Sequence, residues 1–459
     1  MKRPADPPAA RPSDKSESGV ALPPELPALA AWLEGRLDDI LRDLGSLVGV
    51  DCGTYSPEGV NRVGRWTAAF LERLGAGVSI EPDPEGRLGD TIVGRFHGAG
   101  AGRLLLLAHL DTVFPAGTAA ERPFRLEGGH AVGPGTADMK AGLLAGLYAL
   151  AALRAAAPGA LPSAWGPDGP QPSLRAAGES LPWLPFERLV FVANPDEEIG
   201  SPVSTPIIAQ LARESDACLV LECARANGDI VSARKGSVTL RARVVGRAAH
   251  AGVEPEKGRN AIVEAAHQVV TLAALNGRWA DVTLNVGVIG GGTRPNVVPD
   301  EVIYDVDLRS PTRSAMVAAE AELRAIVDRA TVPGTATSVE EVSRHWPMEQ
   351  LPPTQRLVAH AVAIAESLGF PLRDATTGGA SDGNTTAGLG VPTLDGLGPV
   401  GGLDHSPGEY VEVGSIAPRT TLLAGLLLAI SRDPSFRRTE TAGWGSLPPT
   451  GGEWAEGPP

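Results

Sequence analysis

A chain of 459 residues, 43% hydrophobic and 20% charged, has the composition of a folded protein and the length for two or three domains, which excludes a disordered or fibrous polypeptide. A formal charge of -14 argues against a nucleic-acid partner, because phosphate binders cluster Lys and Arg to displace counterions. The three cysteines, Cys52, Cys218 and Cys223, are too few and odd in number for a disulfide framework. Without a C-x-x-C pair they read as reduced structural thiols of a cytoplasmic protein.

The first 25 residues carry basic groups, but Pro and charge interrupt any apolar core of a secretory signal, so a disordered tail is expected there. Apolar residues at helical spacing predict helices over Ala28 to Leu47 and over Asn61 to Leu74, the second closed by a Gly. From Arg103 the run LLLLAH predicts a strand buried on both faces, a pattern repeated in RLVFVAN (Arg188 to Asn194) and ACLVLE (Ala217 to Glu222). An Ala- and Leu-rich helix is expected from Met139 to about Ala156; its run LLAGLYALAAL stops short of the roughly 18 residues that a membrane span needs. Residues 157–185, rich in Pro, Gly and Ser, read as a surface insertion. Strands alternating with helices predict an α/β, doubly wound sheet for residues 26–235.

From Gly236 the texture changes. Alternating segments (SVTLRARVVG, LNVGVI, EVIYDVDLR) surround a helical stretch from Asn260 to Leu275, predicting a small α+β domain over 236–344. The α/β texture resumes over 345–435, with helices near Gln355 to Leu368 and Ser415 to Ile430, so the small domain is inserted into the larger one. The last segment, 436–459, is expected to be disordered.

Chemistry-bearing residues gather at the predicted strand ends. His109 and Asp111 follow the first buried strand in HLDTVF, and ligands collect outside the carboxyl ends of strands in open α/β sheets. Asp138, in GPGTADMKAG, is an ordinary helix cap by itself, but a carboxylate on a Gly-rich turn can also bridge two cations. Glu197 and Glu198 stand side by side in NPDEEIGS with no basic run nearby, so a cation or a proton must relieve their repulsion. Glu222 ends the third buried strand, and His405 lies in the Gly-rich GGLDHSPGEYV before the last helix. Each residue alone has a bland reading as a cap or a solvated turn; their repetition at successive strand ends argues for a metal centre of imidazole and carboxylate, which suits zinc. Neither H-E-x-x-H nor G-x-S-x-G occurs to offer a rival hydrolase site.

HLDTVF, GPGTADMKAG, NPDEEIGS and GGLDHS together resemble, in order, the metal-site motifs of the glutamate carboxypeptidase and aminoacylase family of dinuclear zinc peptidases, with a lean toward its carboxypeptidase branch. The resemblance spans roughly Leu26 to Asp433 and implies two Zn2+ ions, with Co2+ or Mn2+ fitting the same ligands. It implies that Asp138 bridges the ions, that His109 and Glu222 complete one site and that Glu198 and His405 complete the other. Glu197 is then the general base and Asp111 the carboxylate that orients a metal-bound imidazole. The inserted domain likewise resembles the family's lid in GRAAHAG, TRPNVVPD and DVDLR. The resemblance implies that His250 stabilises the oxyanion, often from the neighbouring subunit of a homodimer formed through the lid, and that Asn296 and Arg309 bind substrate. GGASDGN resembles the Gly-rich loop bordering the pocket.

The sequence departs from the family pattern at Ala141, where a second Gly is usual, and at Cys223, where Pro is common. Trp346 stands where glutamate-cleaving members often carry an Arg. The expected activity is hydrolysis of an amide in a small peptide or N-acyl amino acid. A deacylase or dipeptidase of the same fold is the alternative within that chemistry, and a non-catalytic binding module is the alternative outside it.

Overall fold

The computed structural model describes residues 20–157, 165–166, 169–170 and 179–437, so the expected terminal tails fall almost entirely outside the described residues. The first part of the chain forms α1 (Leu26–Glu34), α2 (Leu37–Val48), α3 (Pro57–Leu74), β1 (Gly77–Glu81), β2 (Thr91–His97), β3 (Arg103–His109), α4 (Ala141–Ala156), β4 (Arg188–Asn194), α5 (Thr205–Arg213) and β5 (Ala217–Val220). Next come β6 (Gly236–Val245), α6 (Ala261–Ala273), β7 (Thr283–Gly291), β8 (Glu301–Ser310), α7 (Arg313–Val327) and β9 (Ala336–His345). The chain then returns through α8 (Pro352–Ser367), α9 (Asp382–Gly388), β10 (Thr393–Leu394) and α10 (Val413–Arg432).

A six-stranded sheet of order β1-β2-β4-β3-β5-β10 forms the larger layer, with β4, β3, β5 and β10 parallel and β2 antiparallel to both neighbours. The LLLL run is continuous because both faces are covered. Leu104 and Leu106 enter the core shared with α1 to α4, α8 and α10, while Leu105 and Leu107 enter a second core with Ile208, Leu211 and Ala212 of α5. Each such leucine contributes about 1.5–3 kcal/mol of burial. The parallel register pairs His109 of β3 with Asn194 of β4, so the segments that follow leave the sheet at one edge.

The segment expected as one helix over Ala28 to Leu47 is two, because Gly35 closes the first and the chain restarts at Leu37. The apolar helices are longer than LLAGLYALAAL suggests. Thr136–Ala156 and Val413–Arg432 are long and apolar enough to cross a membrane, yet 83% and 78% of their apolar windows are buried in the protein. They are packed side by side as core helices. The segment read as a surface insertion re-enters the core before it ends, with Leu181 and Leu184 buried and Trp183 edge-on to Phe96 at 5.9 Å.

The second sheet is antiparallel, of order β7-β8-β6-β9. Along β6, Val238, Leu240, Ala242 and Val244 are buried in a core shared with α6 and α7, whereas the alternate residues Ser237, Thr239, Arg241 and Arg243 occupy the open face. Strand β9 and helix α7 escape the sequence reading. β9 is an edge strand whose SVEEVSRH sequence buries little, and its register shifts between Thr239 and Leu240 of β6.

Candidate metal centre

His109 closes β3 and is 2% exposed. Its Nδ1 lies 3.0 Å from the Asp111 main-chain oxygen and 3.3 Å from Asp111 Oδ1, and its Nε2 lies 2.9 Å from Asp138 Oδ1 and 3.7 Å from Glu222 Oε1. Asp111 also accepts from Thr54 Oγ1 at 2.7 Å and from the backbone N–H groups of Glu197 at 3.2 Å and Glu198 at 3.3 Å. One buried carboxylate thus fixes both the imidazole and the acidic turn of the next strand.

Asp138 does not cap α4. It lies in the Thr136–Lys140 turn before the helix, with non-helical φ -113 and ψ 92, and sends Oδ1 to His109 and Oδ2 to His405 Nε2 at 3.0 Å. Its loop is held by Glu409, a buried residue that sequence reasoning missed. The Glu409 carboxylate accepts from the backbone N–H groups of Gly135 (2.9 Å), Ala137 (2.8 Å) and Asp138 (3.0 Å). Burial pushes Glu409 up to about 7 against the lowering by those donors. Only its position in the Gly-rich loop with His405 hinted at it.

Glu197 and Glu198 occupy a single 3-10 turn ended by Gly200. The turn is braced from below. Asp196 accepts from Val203 N, Ser204 N and Ser204 Oγ, and Ser201 Oγ donates to the buried Asp382 of the Gly-rich loop at 2.5 Å. His405 Nε2 lies 3.1 Å from Glu198 Oε2, and its residue adopts φ 60. Donor atoms of His109, Asp138 and Glu198 lie within 4.8 Å of one another, as do those of His109, Glu197 and Glu222.

The electrostatics of this cluster call for a cation. Burial, reinforced by Glu222, pushes Glu197 well above the usual carboxylate range; burial does the same to Glu222 and lifts Glu198 to about 7. Burial opposes ionisation of Asp138 as well, but hydrogen bonds from both histidines hold it well below its ordinary value. His405 is raised to about 9, first by its hydrogen bond with Asp138. Burial would lower His109, and Glu222, Asp111 and Asp138 outweigh it. Glu198 Oε1 is buried with no hydrogen-bond partner among the described residues. Clustered carboxylates, two imidazoles and an orphaned oxygen are a donor set that fits divalent ions.

The structure brings His109, Asp111, Asp138, Glu197, Glu198, Glu222 and His405 together. It leaves His250 and Asn296 on the exposed surface of the second domain, adjacent to each other through the hydrogen bond from Ala251 N to Asn296 O (3.0 Å). Among the described residues no hydrogen bond or ion pair joins either to the cluster within one chain. Arg309 is the penultimate residue of β8, donating to Asp307 at 2.9 Å and to the Gly378 carbonyl at 3.0 Å.

The profile of the family described as Peptidase family M20/M25/M40 matches residues 105–167, and that of the Peptidase dimerisation domain matches 232–335. Carboxypeptidase G2 of Pseudomonas sp. (strain RS-16) is 29% identical, covering 85% of this chain and 88% of that protein. Succinyl-diaminopimelate desuccinylase of Stenotrophomonas maltophilia (strain R551-3) is 30% identical, covering 69% of this chain and 81% of that protein. Among solved structures, aminopeptidase PepT from Bacillus cereus ATCC 10987 superposes with a TM-score of 0.67 at 24% identity, over 86% of this chain and 99% of that one. This fold and these relatives make the chain a hydrolase that depends on a divalent metal, with a catalytic and a dimerisation domain. The chain belongs to peptidase family M20/M25/M40.

Proposed function

We propose that this protein hydrolyses the amide that joins an acyl or peptidyl group to an amino acid with a free carboxylate, at a centre of two divalent ions. The observation that carries the reading is the partly buried cluster itself, whose carboxylates outnumber its imidazoles and include a buried oxygen with no hydrogen-bond partner among the described residues. His109, Glu222 and Asp138 would hold one ion, and Glu198, His405 and Asp138 the other; zinc suits these ligands, as do cobalt and manganese. Bound divalent ions supply Lewis-acid polarisation and a lowered pKa for water.

The chain's own residues do the rest. Glu197 takes the proton from the attacking water and delivers it to the leaving nitrogen, a role suited to a half-buried carboxylate whose basicity is raised by desolvation. Asp111 keeps His109 and the Glu197 backbone in register. Arg309 and Asn296 bind substrate, and His250 stabilises the oxyanion from the second subunit of a homodimer, a reading that fits its exposed position on the second domain.

The side-chain preference follows from Trp346. Its ring is clamped between Arg313, at 4.0 Å, and Arg344, at 4.8 Å. Arg344 is tied to Glu320 and Glu341, and Arg313 donates to the Gly388 carbonyl. Both cations are engaged, and an indole stands where an Arg would receive a glutamate side chain; the favoured substrates therefore carry uncharged side chains.

A hydrolysis screen of purified, zinc-loaded protein against N-acyl amino acids, glutamyl conjugates and dipeptides tests the reading. Turnover of N-acyl or peptidyl amino acids, with uncharged side chains preferred, is expected. No turnover in protein of verified metal content would favour a binding module instead.

A further inference from the structure

Three adjacent strands of the second sheet, β8, β6 and β9, carry one row of side chains beside the acidic turn. Ser237 of β6 pairs with Arg309 of β8 on one side and with His345 of β9 on the other. Directly paired residues point to the same face, and successive residues alternate. Val238 and Leu308, the next residue or the one before, are buried against the helices, and Arg344 reaches Glu320 of α7. Ser237, Arg309 and His345 therefore share the open face. With strands about 4.8 Å apart, roughly 10 Å separates Arg309 from His345, with the Ser237 hydroxyl between them.

This row abuts the acidic turn. A Cβ added at Gly200, whose φ is 86, would lie 3.0 Å from His345 Nε2. The imidazole therefore packs directly on the backbone that follows Glu197 and Glu198. Arg309 spends Nε on Asp307 and Nη1 on Gly378, leaving Nη2 for a ligand. Neither the Ser237 hydroxyl nor the His345 ring makes a hydrogen bond among the described residues. Burial, with the neighbouring Arg309, pushes the His345 imidazole below its ordinary value, so it stands neutral with one N–H to donate. The row holds a guanidinium, a hydroxyl and an imidazole, and the one acidic side chain bonded to it, Asp307, is engaged with Arg309 Nε.

We propose that His345, with Ser237 beside it, is a specificity residue that extends Arg309 into a three-point seat for the substrate's free carboxylate. The proposal rests on the hydrolytic reading above. It also gives this chain a carboxylate contact at the domain junction, although Trp346 replaces the cation expected at the next position. A carboxylate in the seat receives charge-assisted donors from Arg309 and neutral donors from Ser237 and His345.

The test compares hippurate with its carboxamide, hippuramide, using full-length metal-loaded enzyme. In His345→Ala the acid-to-carboxamide ratio of kcat/KM should fall about tenfold, mainly through KM, the loss expected for one hydrogen bond to a charged group. His345→Gln, which keeps a donor, should restore most of the ratio, and Ser237→Ala should lower it by a smaller factor. If His345→Ala folds poorly, by circular dichroism, the other two variants carry the comparison. An unchanged ratio, or a fall in kcat alone, overturns the seat. Calorimetric titration in a Glu197→Gln background reads the same row without turnover: His345→Ala should weaken hippurate about tenfold and hippuramide less than twofold. Equal weakening, or no binding of hippurate by the parent, overturns the proposal. A wild-type chain that hydrolyses nothing yet binds hippurate through His345 refutes the reaction and supports the seat. A chain that hydrolyses hippurate with its acid preference intact in His345→Ala refutes the seat alone.

Discussion

At the scale of single residues, the site is a contest between burial and charge. Among the described residues Glu197 has no hydrogen bond or ion pair to either imidazole, although one of its oxygens lies within 4.8 Å of donor atoms of His109 and Glu222, which leaves it free for the proton transfer proposed above. Glu197→Gln removes the proton acceptor while preserving shape, so kcat should fall about 10²–10⁴-fold. Metal content, measured by elemental analysis, should stay at the wild-type level; a variant that keeps its activity would exclude the assigned role. Glu409 acts at one remove, through three backbone N–H groups of the Asp138 loop. Glu409→Gln turns an acceptor oxygen into a donor facing those groups, so metal affinity, measured by competition with a chelator, should weaken about 10–100-fold. The cluster residues were legible because each stands at the end of a buried strand or in a Gly-rich turn. Glu409 was not, because its partners lie some 270 residues away and only the fold brings them together.

At the scale of elements, the sheet was legible where burial was complete and obscure where it was partial. LLLL, LVFVA and CLVL read directly as strands because two cores flank them. β9 did not, because an edge strand with one open face tolerates Glu and Arg. The Asp138 turn departs from the helix cap that the sequence suggested because its carboxylate is drawn to two imidazoles rather than to backbone. Helix α4 meets β5 at Gly142, where an added Cβ would lie 1.8 Å from the Leu221 carbonyl oxygen, one residue before Glu222. Gly142→Ala must therefore displace either the helix or the strand end. We expect a loss of about 2 kcal/mol or more in a denaturant titration, accompanied by weaker metal binding. Wild-type stability in this variant would mean that the packing of α4 on the strand end is looser than described.

At the scale of the whole molecule, the two cores on the larger sheet bury all three cysteines, Cys52 and Cys223 in one and Cys218 in the other. Thiol titration with an aromatic disulfide reagent should find no fast-reacting group in the native protein and all three after unfolding. Sedimentation should give a homodimer, as the dimerisation domain and the exposed His250 together lead us to expect. The alternation of textures along the chain foretold two kinds of sheet, whereas the return of Leu181 and Leu184 to the core was hidden by Pro and Gly around them. The central claim is that His109, Asp138, Glu198, Glu222 and His405 hold two catalytic divalent ions. Its most direct test is to strip the protein with a chelator and titrate zinc back while following both bound metal and hydrolysis of an N-acyl amino acid. Activity should be absent without metal and its recovery should saturate at two ions per chain; full activity in verified metal-free protein would rule out the two-ion centre.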